Sequence, residues 1–200
     1  MRTTALIGGA LLAASSFCFG QAAHKMDKPM AGKTMAAKPS ASAEMMKPAP
    51  EMSKLSGLIG NWQCAGKTFA SPMGPEHATE GTVSVHNELG GRWQVSHYKE
   101  KKTAQNTMPL EADEYWGYDS AEKKWDRIAI DGWGGWSNGE AKDWEGNSIT
   151  WMSEGVMMGA KGKYRDTFTK KNDREVLYKG QVQGSDGKWA DAWETTCNKK

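Results

Sequence analysis

The sequence predicts an all-β domain, an antiparallel up-and-down β-barrel of about ten strands. From Leu55 onward, short segments of alternating apolar and polar residues are separated by turn residues at regular intervals, which is typical of consecutive strands. No segment of this part has the apolar period of an amphipathic helix. All ten Trp of the chain also fall there. Because hairpins connect the strands, closure of the meander would leave no exposed sheet edge.

The expected strands follow from this alternation and from the turns between them. Val83 and Val85 share one face of a strand that ends before the tight turn Gly90-Gly91. Further turns are indicated at residues 120–124, 171–173 and 184–187. The expected strands are residues 58–69, 79–89, 92–101, 114–119, 125–131, 133–138, 148–153, 163–169, 175–182 and 188–198.

The first part of the chain, residues 1–20, has the pattern of a cleavable signal peptide. Arg2 supplies a positive charge, and a short apolar run from Ala5 to Ala14 follows it. That run is too short to span a membrane, which needs about 20 apolar residues. Cleavage is expected near Gly20 to Ala23, which would deliver the protein to the periplasm or the extracellular space. Lipoprotein processing at Cys18 is the alternative, but the residues before that cysteine fit it poorly.

Residues 21–54 form a segment rich in Met, Lys, Pro and Ala that contains no aromatic residue. Such a composition cannot bury enough apolar surface to offset chain entropy, so we expect a disordered tether before the barrel domain of residues 55–200. The methionines, with His24, offer soft thioether ligands for Cu(I). A plain low-complexity spacer is the favoured interpretation.

Two cysteines, Cys64 and Cys197, remain after removal of the signal peptide. In an oxidising compartment such a pair is expected to form a disulfide. In a closed meander the first and last strands are neighbours, so the bond would join the closing seam. Neither cysteine belongs to a CxxC motif or lies near a His pair, so no metal site is expected.

The charge distribution argues against a nucleic-acid partner. The net charge of the whole chain is +2, but acidic residues slightly outnumber basic ones from Leu55 onward. The surplus of basic residues comes from the N-terminal segments, and no basic run or arginine-rich face is present in the barrel domain.

Three short motifs stand out in the barrel domain. The first expected strand starts with Leu58-Ile59-Gly60-Asn61-Trp62, which contains a Gly-x-Trp signature, and later segments read Gly90-Gly91-Arg92-Trp93 and Trp116-Gly117-Tyr118-Asp119. The set resembles the calycin barrels, which are the lipocalins and their relatives, and is similar to a secreted bacterial family of unknown function related to lipocalins and nitrobindins. The resemblance implies a barrel and no particular activity. Nitrobindins ligate haem through a late His, whereas no His follows His97 here, so no cofactor is expected.

The leading functional interpretation is non-catalytic binding of a small apolar or amphipathic molecule inside the barrel. Ligand pockets are commonly aromatic with a few polar anchors. By strand alternation, five Trp are expected to point inward, with His97 as a polar anchor. An interior filled by these side chains is the alternative. The expected ligand-binding Trp residues are Trp62, Trp93, Trp116, Trp189 and Trp193.

A second interpretation places the function on the surface. The glycine-rich segment that contains Trp133 and Trp136, with Asp131 and Asn138 beside them, could stack on a sugar ring and bind its hydroxyls. The partner would then be a glycan or another component of the cell envelope. Enzymatic activity is a third and weaker interpretation, since no nucleophile elbow, phosphate loop or zinc motif is present.

Two carboxylates, Asp166 and Asp191, share a strand face with residues expected to point inward. A buried Asp would need a partner such as Arg127 or Arg165, or a raised pKa. Both are therefore expected near a mouth of the barrel.

Overall fold

A computed structural model describes residues 47–72 and 74–200. The predicted signal peptide, its cleavage site, most of the predicted tether and the proposed copper ligands lie outside the described residues. The first element is a 3₁₀ helix, Pro50–Leu58, in which Met52, Leu55 and Leu58 are buried. The predicted domain boundary at Leu55 falls inside this helix, so apolar residues on both sides of that boundary join the core.

Ten strands follow and form one closed antiparallel barrel in which every strand pairs with its sequence neighbours and β1 pairs with β10. The predicted fold class is confirmed. The helix at Pro50–Leu58 is too short and polar to span a membrane, and no other described helix is a candidate. The strands are β1 Gly60–Thr68, β2 His77–Glu88, β3 Trp93–Glu100, β4 Glu111–Asp119, β5 Lys124–Asp131, β6 Trp136–Ala141, β7 Ser148–Met157, β8 Ala160–Asn172, β9 Glu175–Gln183 and β10 Trp189–Lys199.

The two-residue period of the strands separates the interior from the surface. In β7, Ile149 and Trp151 are almost fully buried, whereas Thr150 and Met152 are exposed. A tight turn, the 3₁₀ segment Leu89–Gly91, connects β2 and β3. Gly90 and Gly91 have φ values of 71° and 84°, a left-handed conformation that glycine adopts without strain.

The closing seam of the barrel carries the predicted disulfide. Cys64 of β1 lies directly opposite Cys197 of β10, and the two are bonded. Both are buried on the inner face of the sheet. The prediction that this bond joins the first and last strands is confirmed.

One end of the barrel is filled by an apolar core. Leu55 and Leu58 of the N-terminal helix pack there against the inward side chains of most strands. Trp62 donates a hydrogen bond from Nε1 to the carbonyl of Leu58, at 2.8 Å, and Gln94 donates to the carbonyl of Leu55, at 3.0 Å. The helix therefore closes this end, and any access to the interior is from the opposite end. The largest core side chains are Trp62, Trp116, Trp125, Trp151 and Phe168.

Candidate ligand-binding cavity

Above this core the barrel encloses a cavity of about 790 Å³ that opens at the end opposite the helix. Its volume lies within the range of small-molecule sites, about 300–1,000 Å³. The wall is largely apolar and aromatic, because inward positions of nearly every strand contribute to it. Representative wall residues are Val85, Tyr98, Trp116, Tyr164, Val182 and Trp193.

A cluster of charged side chains interrupts this apolar wall. Arg127 of β5 forms a bidentate pair with Glu114 of β4, with 2.6 Å between Nη2 and Oε1 and 3.2 Å between Nε and Oε2. It also reaches Asp166 of β8, with 3.0 Å between Nη1 and Oδ2. The side chains of Arg127 and Asp166 are only 5% and 2% exposed, so the pair is removed from bulk water.

Further hydrogen bonds complete the cluster. Arg127 donates to Ser153 Oγ at 3.4 Å and to the hydroxyl of Tyr178 at 2.8 Å. The Tyr178 hydroxyl donates to Glu114 Oε1 at 3.2 Å, and the indole Nε1 of Trp116 donates to Glu114 Oε2 at 3.1 Å. Glu114 thus receives donors from three side chains.

One polar atom of the cluster lacks a partner. Oδ1 of Asp166 is buried and has no hydrogen-bond partner among the described residues. Asp166 is also among the residues that line the cavity. A buried acceptor without a donor costs about 1–3 kcal/mol, so this atom is an uncompensated polar group within the cluster.

Burial and charge shift the pKa values of the cluster in different directions. Burial raises the pKa of Asp166 to about 6, although Arg127 opposes this rise. Burial also acts to raise the pKa of Glu114, but Arg127 and the donated hydrogen bonds outweigh it and lower that pKa. The pKa of Tyr178 lies well above its usual range because its hydroxyl is buried. Above pH 6 the cluster therefore holds one cation and two carboxylates.

Three of the predicted ligand-binding Trp residues border the cavity: Trp62, Trp116 and Trp193. The ring of Trp193 lies directly over Gly180 of β9, where a Cβ would come within 1.8 Å of the indole. Because Gly180 has no side chain, the indole of Trp193 can lie against the wall there.

Trp93 and His97 do not point inward, and the orientation predicted for them is wrong. On β3 the cavity is lined by Gln94, Ser96 and Tyr98, so residues of the opposite parity face outward. The ring of Trp93 covers Gly117 on the outer face, about 3.0 Å from where a Cβ would stand. His97 pairs there with Asp113 and lies 3.3 Å from a Glu111 carboxylate oxygen.

Trp189 also lies outside, for a different reason. The pairing of β10 with β9 shifts register between Asp191 and Trp193, which marks a β-bulge. A bulge adds one residue and inverts the alternation beyond it. Trp193 therefore faces the cavity while Trp189 faces outward, with its ring 4.8 Å from the guanidinium of Arg165.

The glycine-rich segment predicted as a surface site forms part of the cavity mouth. Asp131 accepts hydrogen bonds from the backbone N–H groups of Trp133 and Gly135, both at 2.8 Å, which fixes the turn. Trp133 and Trp136 are 37% and 46% exposed and border the mouth with Asp131. Asn138 lies two residues after Trp136 on β6 and is not among the residues that line the cavity mouth.

The two carboxylates expected near a mouth have different positions. Asp191 is exposed and accepts a hydrogen bond from Gln181 at 2.7 Å. Asp166 is fully buried within the barrel, so its predicted place near a mouth is wrong. Its partner is Arg127, one of the two arginines that the sequence suggested.

Sequence reasoning did not identify Glu114 and Tyr178 as site residues. The sequence offered two signals for the cluster. Asp166 shares a strand face with residues expected to point inward, and Arg127 shares its strand face with Trp125, where a charge needs a buried partner. Which residues supply that partner depends on how the barrel closes.

The fold and this cavity define a calycin-like β-barrel whose interior has the volume of a small-molecule site. The family described as "Protein of unknown function (DUF1579)" matches residues 47–199, and the chain belongs to that family. The resemblance to calycin-like barrels is thereby confirmed.

One solved structure supports this fold. Rv2717c from M. tuberculosis is similar with a TM-score of 0.61 and 14% identity, covering 77% of this chain and 99% of that one. The S-type phycobiliprotein lyase CPES from Guillardia theta is 8% identical with a TM-score of 0.49, over 76% of this chain and 98% of that one. No curated protein matches the chain.

Proposed function

We propose that the domain is a non-catalytic binding protein that holds a small amphipathic molecule inside the barrel. The observation that carries the proposal is the cavity of about 790 Å³, whose apolar wall contains the buried charged cluster around Arg127. An apolar part of the ligand would lie against the wall, and its polar end would meet the cluster.

The aromatic wall supplies most of the binding free energy in this proposal. Each buried methylene of a ligand contributes about 0.8 kcal/mol when it leaves water. Trp116 is held in place by its hydrogen bond to Glu114, and Trp193 by its contact with Gly180. Because these rings are already fixed, little side-chain entropy is lost on binding.

The site of action in this proposal is the periplasm or the extracellular space. The Cys64–Cys197 disulfide supports an oxidising compartment. The exposed Trp133 and Trp136 at the mouth would contact a ligand as it enters from there. In the alternative, the hairpin with Trp133 and Trp136 binds a glycan or another envelope component at the surface. The cavity takes no part in that binding.

Binding of the neutral fluorophore N-phenyl-1-naphthylamine tests the proposal. The matched variants are Trp193→Ala, which removes a cavity ring, and Trp189→Ala, which removes an outward ring of the same strand. We expect saturable binding by the unaltered protein, at least ten-fold weaker binding by Trp193→Ala and little change in Trp189→Ala. Saturable binding that survives Trp193→Ala but is lost in Trp133→Ala would place the site on the mouth hairpin instead.

A further inference from the structure

We propose that the cavity selects molecules whose polar end is a hydrogen-bond donor or a cation, such as an amphipathic amine, and discriminates against amphipathic carboxylic acids. This inference rests on the proposed function and names the ligand class for the same cavity.

The first step of the argument is that Arg127 has no donor left for a ligand. A guanidinium carries five N–H donors. Nε and one N–H of Nη2 bind Glu114, the other N–H of Nη2 binds Tyr178, and Nη1 binds Asp166 and Ser153. An incoming carboxylate would have to displace one of these charge-assisted bonds, which are stronger than hydrogen bonds between neutral groups.

The other donors of the cluster are also engaged. Both the hydroxyl of Tyr178 and the indole N–H of Trp116 donate to Glu114. Each of these groups has a single hydrogen to donate. The Ser153 hydroxyl accepts from Arg127, and Ser153 is not among the residues that line the cavity. The cluster residues that do line the cavity therefore present no unused N–H or O–H to an anionic ligand.

What remains unused is an acceptor. Oδ1 of Asp166 is buried and has no partner among the described residues, although the carboxylate lines the cavity. An ammonium or another N–H donor placed there would satisfy it, and a protonated amine would also balance the second carboxylate of the cluster. The geometry thus matches a donor at the polar end of the ligand.

The charges around the whole cavity point in the same direction. Among the described residues that line it, the basic side chains are Arg127, whose charge is already paired, and His77 near the mouth. A wall lined by one sign of charge raises the local concentration of ligands with the opposite sign. The acidic lining residues are Glu100, Glu114, Asp131, Asp166 and Asp191.

Competition between head groups tests the inference. Decylamine, decanol and decanoic acid have the same apolar chain, and each is titrated at pH 8 against protein loaded with N-phenyl-1-naphthylamine. We expect decylamine to displace the fluorophore at a concentration at least ten-fold below that of decanoic acid, with decanol between them. Decanoic acid that displaces as well as decylamine overturns the inference, while the fluorophore's own binding still supports the proposed cavity.

Two variants test whether Asp166 is the source of the preference for decylamine. Asp166→Asn removes the unpartnered carboxylate, and Asp191→Asn removes an exposed carboxylate at the mouth as the matched control. We expect the first to reduce the preference for decylamine at least five-fold and the second to leave it within two-fold. A folded Asp166→Asn protein with the full preference overturns the inference. If that variant does not fold, the head-group order in the unaltered protein decides alone.

Discussion

Arg127 and Asp166 form an ion pair across the interior of the barrel, with 3.0 Å between Nη1 and Oδ2. They belong to β5 and β8, which are not neighbours in the sheet. The pair therefore forms only because the sheet curls into a barrel with this stagger of its strands. The same ion pair contributes to the stability of the fold and to the charge of the cavity wall.

Replacement of Arg127 by Met should strongly destabilise the domain. The change leaves Glu114 and Asp166 buried without their cation, and breaking a buried pair in this way costs about 3–5 kcal/mol. Urea unfolding measures the effect. Arg165→Met, on the outer face of β8, is the control. It removes a hydrogen bond to Gln181 and a contact with the Trp189 ring, so it should lower the free energy of unfolding by only about 1 kcal/mol. Equal losses in both variants would contradict the assigned role of the cluster.

The titration of Asp166 should give stability an unusual dependence on pH. Burial raises the pKa of this carboxyl to about 6 in the folded state, whereas the unfolded carboxyl ionises at its ordinary, lower pKa. Between these values the folded state binds more protons, so the contribution of Asp166 to stability falls as pH rises and is largest in acid. The titratable groups that face Asp166 are Arg127, Glu114, Tyr178 and Tyr164.

Comparison with the Asp166→Asn variant isolates the contribution of Asp166. The lowered pKa of Glu114 has the opposite effect on stability, but Glu114 is present in both proteins. Urea unfolding at pH 4.5 and pH 7.5 should show that the unaltered protein gains stability relative to the variant on acidification. A difference between the two proteins that is the same at both pH values would show that Asp166 has no raised pKa.

The sequence was a good guide to the strands and a poorer one to their orientation. All ten strands were predicted near their observed positions, because hairpin turns and alternation are local signals. Alternation tells which residues share a face but not which face points inward. On β3 the apolar Trp93 suggested the wrong face, since its ring covers Gly117 outside the barrel.

Two features of the site depend on structure that local patterns do not encode. The bulge between Asp191 and Trp193 separates Trp189 from the cavity, and no residue type marks it in the sequence. The cluster around Arg127 joins five strands, β4, β5, β7, β8 and β9, so its partners follow from the curvature and stagger of the whole barrel.

Loss of the disulfide should lower stability substantially. Cys64 and Cys197 enclose most of the domain, and the entropy of closing such a long loop corresponds to about 5 kcal/mol. The Cys64→Ala/Cys197→Ala double variant should unfold at a lower urea concentration than the oxidised protein, and the reduced protein should behave like the variant. A denatured mass of the exported protein equal to that of the fully reduced chain would refute the bond.

A side chain at position 180 should damage the cavity specifically. A Cβ at Gly180 would come within 1.8 Å of the Trp193 indole, so Gly180→Ala must move that ring away from the wall. We expect binding of N-phenyl-1-naphthylamine to weaken at least five-fold, with a lower melting temperature. Gly57→Ala is the control, because nothing lies within 4 Å of a Cβ there. If Gly180→Ala binds the fluorophore as the unaltered protein does, the Trp193 ring is not part of the binding surface, and the ligand lies elsewhere in the barrel.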